Sequence, residues 1–244
     1  QWHHFGKAYI FLAALATPLV LSVHSVVSWD FAMAIVPGWH ATIFAPYFVA
    51  GAIFSGVAMV ITLVVPIRKI FGLEAYLTTK HFDAMAKLCL LTSLIVLYAY
   101  LCEFFLAWYS GEEIEKASFW NRLFGDYWWA TWTMLTCNGF VPIMLWFKRI
   151  RHSIPALFVI SIFINIGMWF ERYVIVVTSL HHEYEPFAWG IYRPSLTEMA
   201  LMVGSFCWFG FWFLLFTRLL PPIAIAELKE VLPAPIRKKT GEAY

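Results

Sequence analysis

The sequence predicts an all-α membrane protein, a bundle of six transmembrane helices with both termini in the cytoplasm. Three observations predict it. First, 61% of the 244 residues are hydrophobic and 13% are charged, against roughly 25% charged in a soluble domain. Mean hydropathy is +0.72. Second, six stretches are each apolar over the roughly 20 residues that a helix needs to cross a bilayer. Third, the basic residues alternate between the two sides of those stretches. A net charge of +2 implies no nucleic-acid surface. The 13 Trp and 23 Phe suit helices packed in lipid with aromatic belts at both interfaces.

The spans follow in chain order. Span one covers about 8–29 and carries Pro18 inside it, which membrane helices tolerate when neighbours satisfy the freed carbonyl. Span two covers about 40–66, with Pro66 marking its end. Within it, "VAGAIFSG" sets Ala52 and Gly56, and likewise Gly51 and Ser55, at a small-residue spacing that favours close helix packing. Span three covers about 86–109. Span four, about 128–147, contains Pro142. Span five begins at Pro155 and runs to about 178, and span six covers about 198–219. The four cysteines lie in apolar stretches and none forms a CxxC, so they read as reduced, buried thiols.

Direction comes from charge. Thirteen basic residues fall on one side: Lys7; Arg68, Lys69, Lys80 and Lys87; Lys148, Arg149 and Arg151; Arg218, Lys229, Arg237, Lys238 and Lys239. Three fall on the other, Lys116, Arg122 and Arg193. The richer side is cytoplasmic. The loops "SGEEIEKASFWNRLFGDY" and "SLHHEYEPFAWGIYRP" then face outward. No repeat, low-complexity run or soluble domain is visible. Residues 1–244 therefore read as one transmembrane helical domain, with 220–244 a cytoplasmic surface tail whose basic end meets anionic lipid. The chain opens on Gln1, so the numbering is expected to begin inside a longer chain or at a processed end.

Charges inside spans are expensive and usually mark proton or substrate paths. Here they gather toward the outer side. Asp30 ends span one, with His24 about 9 Å deeper. Glu103 and Arg172 each lie about two turns from the outer ends of spans three and five. Asn165, Met168 and Arg172 share one helix face, while Glu171 points about 100° away. Arg172 is thus free to meet Asp30 on a neighbouring helix. His24 and Ser28 share a face from which Asp30 is rotated, and "PGW" at 37–39 signals a backbone bend nearby. Each residue also has a plain structural reading: Arg172 snorkelling to headgroups, Glu103 as a protonated core residue, Asp30 as a helix cap, His24 as a satisfied core histidine.

Only His24 lies clearly inside a span, so paired histidines for an internal haem are not found. No metal motif, P-loop or nucleotide signature is present either. What fits is a lipid-soluble carrier of two electrons and two protons. It needs an apolar aromatic pocket, a group to orient its head, and carboxylate or histidine to take protons. Asp30 and His24 suit proton acceptance, and Arg172 suits holding the head.

The stretches "SVHSVVSWDFAMAIVPGWHATIFAPYFVAGAIFSG" and "WFERYVIVVTSLHHEYEPFAWGIY" resemble the NrfD/PsrC-type membrane subunits of alternative complex III. The tail "RLLPPIAIAELKEVLP" resembles the ActC type more than the sister ActF type. The resemblance runs over nearly the whole chain and is to the C-terminal part of a family whose chains are about twice as long. It implies a quinol:electron-acceptor oxidoreductase of the bacterial inner membrane. Menaquinol or ubiquinol would be oxidised near the periplasmic face by a subunit that binds no haem or metal of its own. Electrons would pass to a periplasmic iron–sulfur subunit and on through multihaem and monohaem cytochrome c subunits, beside a sister NrfD-like membrane subunit. The matching positions are Asp30 and Arg172 for the quinol, with His24 and Glu171 as neighbours. The family's proposed proton route would be lined here by Thr17, Ser22, Thr92, Tyr100 and Glu103. Two other readings use the same residues: a proton or ion transporter without a redox role, and a structural anchor for extracytoplasmic subunits.

Overall fold

A computed structural model describes residues 2–221, with side chains from His4 onward. The expected cytoplasmic tail lies outside the described residues beyond Pro221. The described chain is helical, in ten α-helical segments joined by short π and 3₁₀ turns. It falls into two units, one ending at Tyr192 and one beginning at Arg193.

In the first unit, α1 spans Trp2–Ala32, α2 Phe44–Ile70 and α3 Thr79–Tyr109. A short helix α4, Glu113–Phe124, follows in the loop expected to face outward. Five helices of the described chain are long and apolar enough to cross a membrane: His4–Ala32, Phe44–Ile70, Thr79–Tyr109, Ile154–His181 and Leu196–Leu219. Helix α2 does not stop at Pro66 but continues one turn to Ile70. Gly38 turns the chain between α1 and α2 with φ +81°, at the bend that "PGW" signalled.

The predicted fourth span is helical but not uniform. It consists of α5 (Trp128–Leu135), a π turn (Thr136–Phe140), α6 (Val141–Ile143) and a 3₁₀ turn (Met144–Trp146). Pro142 supplies a physical reason. A proline inside an α-helix has no N–H to donate and clashes with the carbonyl four residues back, here that of Asn138. The wide turn lies across that carbonyl. After α7 (Lys148–Arg151), helix α8 begins at Ile154 with Pro155 in its first turn and runs to Tyr173. A second π turn, Val174–Thr178, carries it into α9, Ser179–His181.

The core lies between α2, α3, α5 and α8 and is built from Phe44, Tyr47, Phe54, Ala58, Phe82, Val96, Tyr100, Leu157 and Ile164. Two glycines allow backbones to close up. A Cβ on Gly51 would sit 3.5 Å from Met168 Cε of α8, an ordinary contact. A Cβ on Gly167 would fall 2.3 Å from Asn138 Oδ1 and 2.6 Å from Cys137 Cβ. Only a glycine lets α8 lie against the first π turn. Gly56, by contrast, has nothing within 4 Å, so the close approach uses one member of the small-residue pattern. Midway along the bundle, Thr62 Oγ1 meets Ser161 Oγ at 2.8 Å and accepts from Asn165 Nδ2 at 2.9 Å, linking α2 to α8. At the end opposite α4, Arg151 donates to Asp83 Oδ1 at 2.9 Å and to the carbonyls of Leu145 and Trp146 at 3.0 and 2.9 Å. Lys87 pairs with the other Asp83 oxygen at 2.6 Å.

The second unit contains α10, Leu196–Leu219. Ser195 caps it: its Oγ accepts from the Glu198 N–H at 3.3 Å, and Glu198 Oε2 accepts from the Ser195 N–H at 2.6 Å.

Candidate functional site

Two polar groups stand out toward the α4 end of the first unit. The deeper one is built on Glu171, which is fully buried on α8. Its Oε2 accepts from the Tyr100 hydroxyl of α3 and from Asn138 Nδ2 of the first π turn at 3.2 Å. Asn138 Nδ2 also donates to the Tyr100 oxygen at 3.0 Å. Tyr47 of α2 packs edge-on against Tyr100. Three helices and a π turn thus converge on one carboxylate.

Glu171 Oε1 accepts no hydrogen bond, and its nearest cation is Arg172 Nη1 at 3.6 Å. The adjacent pair does interact, although the two residues leave the helix about 100° apart. The long arginine side chain bends back, and its guanidinium lies over the Phe48 ring at 4.5 Å. The Arg172 side chain keeps 38% of its surface exposed, whereas that of Glu171 keeps 1%. A π turn follows directly, and its widened backbone presents the Ile175 carbonyl to Trp39 Nε1 at 2.8 Å.

The second group surrounds a cavity of ≈ 370 Å³ between α3, α4 and the turn before α2. His40, Glu103, Ser110, Glu115 and Phe119 border it. His40 Nε2 lies 3.1 Å from Glu115 Oε1. Glu103 Oε1 is closed off from solvent without a partner. Arg122 reaches inward from α4 and is 5% exposed. It donates to Ser179 Oγ at 2.6 Å and more weakly to the Pro37 carbonyl at 3.5 Å, and its guanidinium lies 4.5 Å from the Phe119 ring centre. Burial pushes its pKa down to about 10, while Glu103 and Glu115 oppose that shift, so it stays a cation at neutral pH. Nearby, His182 is buried against Tyr127 and Trp189, and its Nε2 accepts from the Asn121 amide at 2.6 Å. Burial holds it below the ordinary histidine pKa.

Among the residues singled out from sequence, Glu171, Arg172 and Tyr100 belong to the deeper group and Glu103 to the cavity. Asp30 stands apart on the exposed side of α1, and no ion pair joins it to Arg172 among the described residues. His24 is half-buried toward α2, with its Nδ1 2.8 Å from the Val20 carbonyl. Thr17, Ser22 and Thr92 each donate to a carbonyl of their own helix. Sequence reasoning missed His40, Glu115, Arg122 and Asn138. A signal for α4 was present. Glu115, Ser118, Phe119 and Arg122 recur at i, i+3, i+4 and i+7, a single helix face, and all four are buried.

The family described as "Polysulphide reductase, NrfD" matches residues 2–182, from α1 through α9 and both polar groups. A curated relative from Halobacterium salinarum, described as a putative membrane subunit of a dimethyl sulfoxide reductase, is 29% identical over 224 residues. That match covers 79% of this chain and 48% of the relative, so the chain spans about half the length of the curated protein it matches. With the family match running over most of its length, this multi-pass membrane chain belongs to the NrfD family.

Proposed function

We propose that the chain is the quinol-binding membrane subunit of a quinol:electron-acceptor oxidoreductase, of the alternative complex III type and ActC-like. The observation that carries the reading is the cavity bordered by Glu103, His40 and Glu115. It lies at the face that the charge distribution assigns outward, and one of its carboxylate oxygens has no partner. Oxidation of a menaquinol or ubiquinol releases two electrons and two protons. Glu103 and the His40–Glu115 pair suit acceptance of the two hydroxyl protons, which then leave outward. The electrons go to a periplasmic iron–sulfur subunit and on to multihaem and monohaem cytochromes.

Beneath the cavity, Glu171 and Arg172 supply the field that orients the head group. Tyr100 and Asn138 fix the carboxylate. Asp30 and His24, on the edge of α1, are proton acceptors on the exit side. Any proton route deeper into the bundle runs from Glu103 through Tyr100 and Glu171 toward Thr92 of α3; Ser22 and Thr17 sit on the exposed side of α1. The bacterial inner membrane, with a sister NrfD-like protein alongside, is the setting this reading requires.

The test is turnover of the assembled complex. Glu103→Gln and Arg172→Leu are each expected to abolish quinol oxidation while assembly of the complex survives. Normal turnover in either assembled variant refutes the role given to that residue. Proton uptake without any quinol turnover in the wild-type complex would instead support a transporter.

A further inference from the structure

The cavity has a neighbour. Between the Tyr109 end of α3 and the outer side of α4 runs a cleft of ≈ 500 Å³, bordered by Phe104, Trp108, Phe119, Trp120 and Leu123, with Lys116 among its lining residues. Its volume falls within the range of small-molecule sites, roughly 300–1,000 Å³. The two spaces share Ala107 and Phe119. Phe119 is 6% exposed, packs edge-on to Phe104 and lies beneath the Arg122 guanidinium. One buried ring therefore has a charged, partly unsatisfied cavity on one side and an aromatic cleft on the other. Trp108 and Trp120, at 69% and 67% exposure, open that cleft toward the surroundings of the bundle.

We propose that this cleft holds the isoprenoid tail of the quinol, and that Phe119 is the wall separating tail from head group. The proposal rests on the quinol-binding reading of the cavity. An amphipathic molecule with a polar ring and a long hydrocarbon tail needs two adjoining compartments of opposite character. Ala107 and Phe119 are where these two adjoin. The acyl chain of a phospholipid would fit the hydrocarbon part, but it has no ring to place beside Glu103. It would bring its phosphate to Lys116 instead. The cleft would then set substrate preference by tail length, while the cavity sets it by ring chemistry.

Two measurements on the purified native complex test this. In the first, a quinone bearing a diazirine on its tail is photolysed with the wild-type complex and the labelled peptides are mapped. Label within 104–123, displaced by unlabelled long-tailed quinone, is expected. Label elsewhere, or label displaced only by phospholipid, overturns the proposal and makes the cleft a lipid site. In the second, Ala117→Trp narrows the cleft from a position outside the cavity. The ratio of KM for long-tailed quinol to KM for a tail-less quinol should rise at least about tenfold, the loss expected from roughly two methylene groups left unburied. An unchanged ratio overturns the proposal, whether both constants move together or neither moves. If the wild-type complex oxidises neither quinol, the quinol reading of the cavity fails on its own, and the photolabel still decides the cleft.

Discussion

Gly167 is the position where a single carbon should do the most damage. Its added Cβ would lie 2.3 Å from Asn138 Oδ1, 2.6 Å from Cys137 Cβ and 2.9 Å from Asn138 Cγ. No real Cβ contact is that short, and Cys137 Cβ is fixed to its backbone, so α8 and the first π turn must move apart. Overpacking of this kind costs about 1–3 kcal/mol. The displacement also pulls Asn138 from Glu171 Oε2 and from the Tyr100 oxygen, two hydrogen bonds worth about 0.5–1.5 kcal/mol each. Gly167→Ala should therefore destabilise the first unit by about 3–5 kcal/mol. Reversible denaturant unfolding of the isolated chain in detergent or bicelles measures this. Gly51→Ala is the control: its Cβ would meet Met168 Cε at 3.5 Å and Arg172 Nη2 and Glu171 Oε1 at 3.8 Å, all ordinary contacts, and should cost within about 0.5 kcal/mol. Asn138→Ala is costly alone, yet it removes the nearest clashing atom. In that background the penalty for Gly167→Ala should shrink by at least about 1 kcal/mol, a coupling typical of residues in direct contact. A Gly167→Ala penalty equal to that of Gly51→Ala would refute the close approach of α8 to the π turn.

Two further outcomes follow from the ends of the bundle. Arg151→Met removes the donor that ties Asp83 to the carbonyls of Leu145 and Trp146, leaving the carboxylate with Lys87 at 2.6 Å and His152 at 3.6 Å. It should speed amide exchange in 144–152, and wild-type exchange there would count against the clamp. His182 is held below its ordinary pKa by burial, so the folded state binds its proton less readily than the unfolded state does. Its contribution is fully present above the unfolded value of about 6.5 and declines as pH falls through that value toward the lower folded one. Protection of the amides across 182–190, measured as exchange relative to the intrinsic rate at each pH, should fall over that acid range in wild type. It should be flat with pH in His182→Gln, and equal slopes in the two would exclude His182 as the cause.

Hydropathy alone located the long helices, because lipid demands a continuous apolar run whatever the tertiary contacts. The boundaries at Ala32, Tyr109 and Leu219 lie within three residues of those expected. It could not show that the segment expected to be the fourth span carries a π turn. That geometry depends on Pro142 in the same segment and on Gly167 in a different helix, and no local pattern joins them. Glu103, Tyr100 and Glu171 were legible as charges and polar groups out of place in apolar runs. Asn138 was not, since one amide in a span carries no cost visible in composition. Helix α4 was concealed by the ordinary expectation that a charged face points to water. Here the face bearing Glu115 and Arg122 turns inward, and Trp120 and Phe124 stay outside. The expected meeting of Asp30 with Arg172 rested on depth and on the face that Arg172 takes on its own helix, not on where α1 places Asp30. Depth says nothing of azimuth, and the Phe48 ring and the Glu171 carboxylate lie closer to the guanidinium.

The two π turns make the number of residues itself part of the site. Each accommodates one more residue than an α-helix needs to cover the same ground, and each residue advances the helix by about 100°. Deleting one residue from 136–140 would let that segment relax to regular α-helix and would swing Asn138 away from Glu171, even with every remaining side chain unchanged. Deleting one from 174–178 would withdraw the carbonyl that Trp39 holds and rotate Ser179 away from Arg122. A substitution in these turns alters one contact. A change of length alters the phase of everything downstream. Chains that align here without gaps can be read residue for residue onto this site, and a one-residue gap inside either turn marks a site built in a different phase.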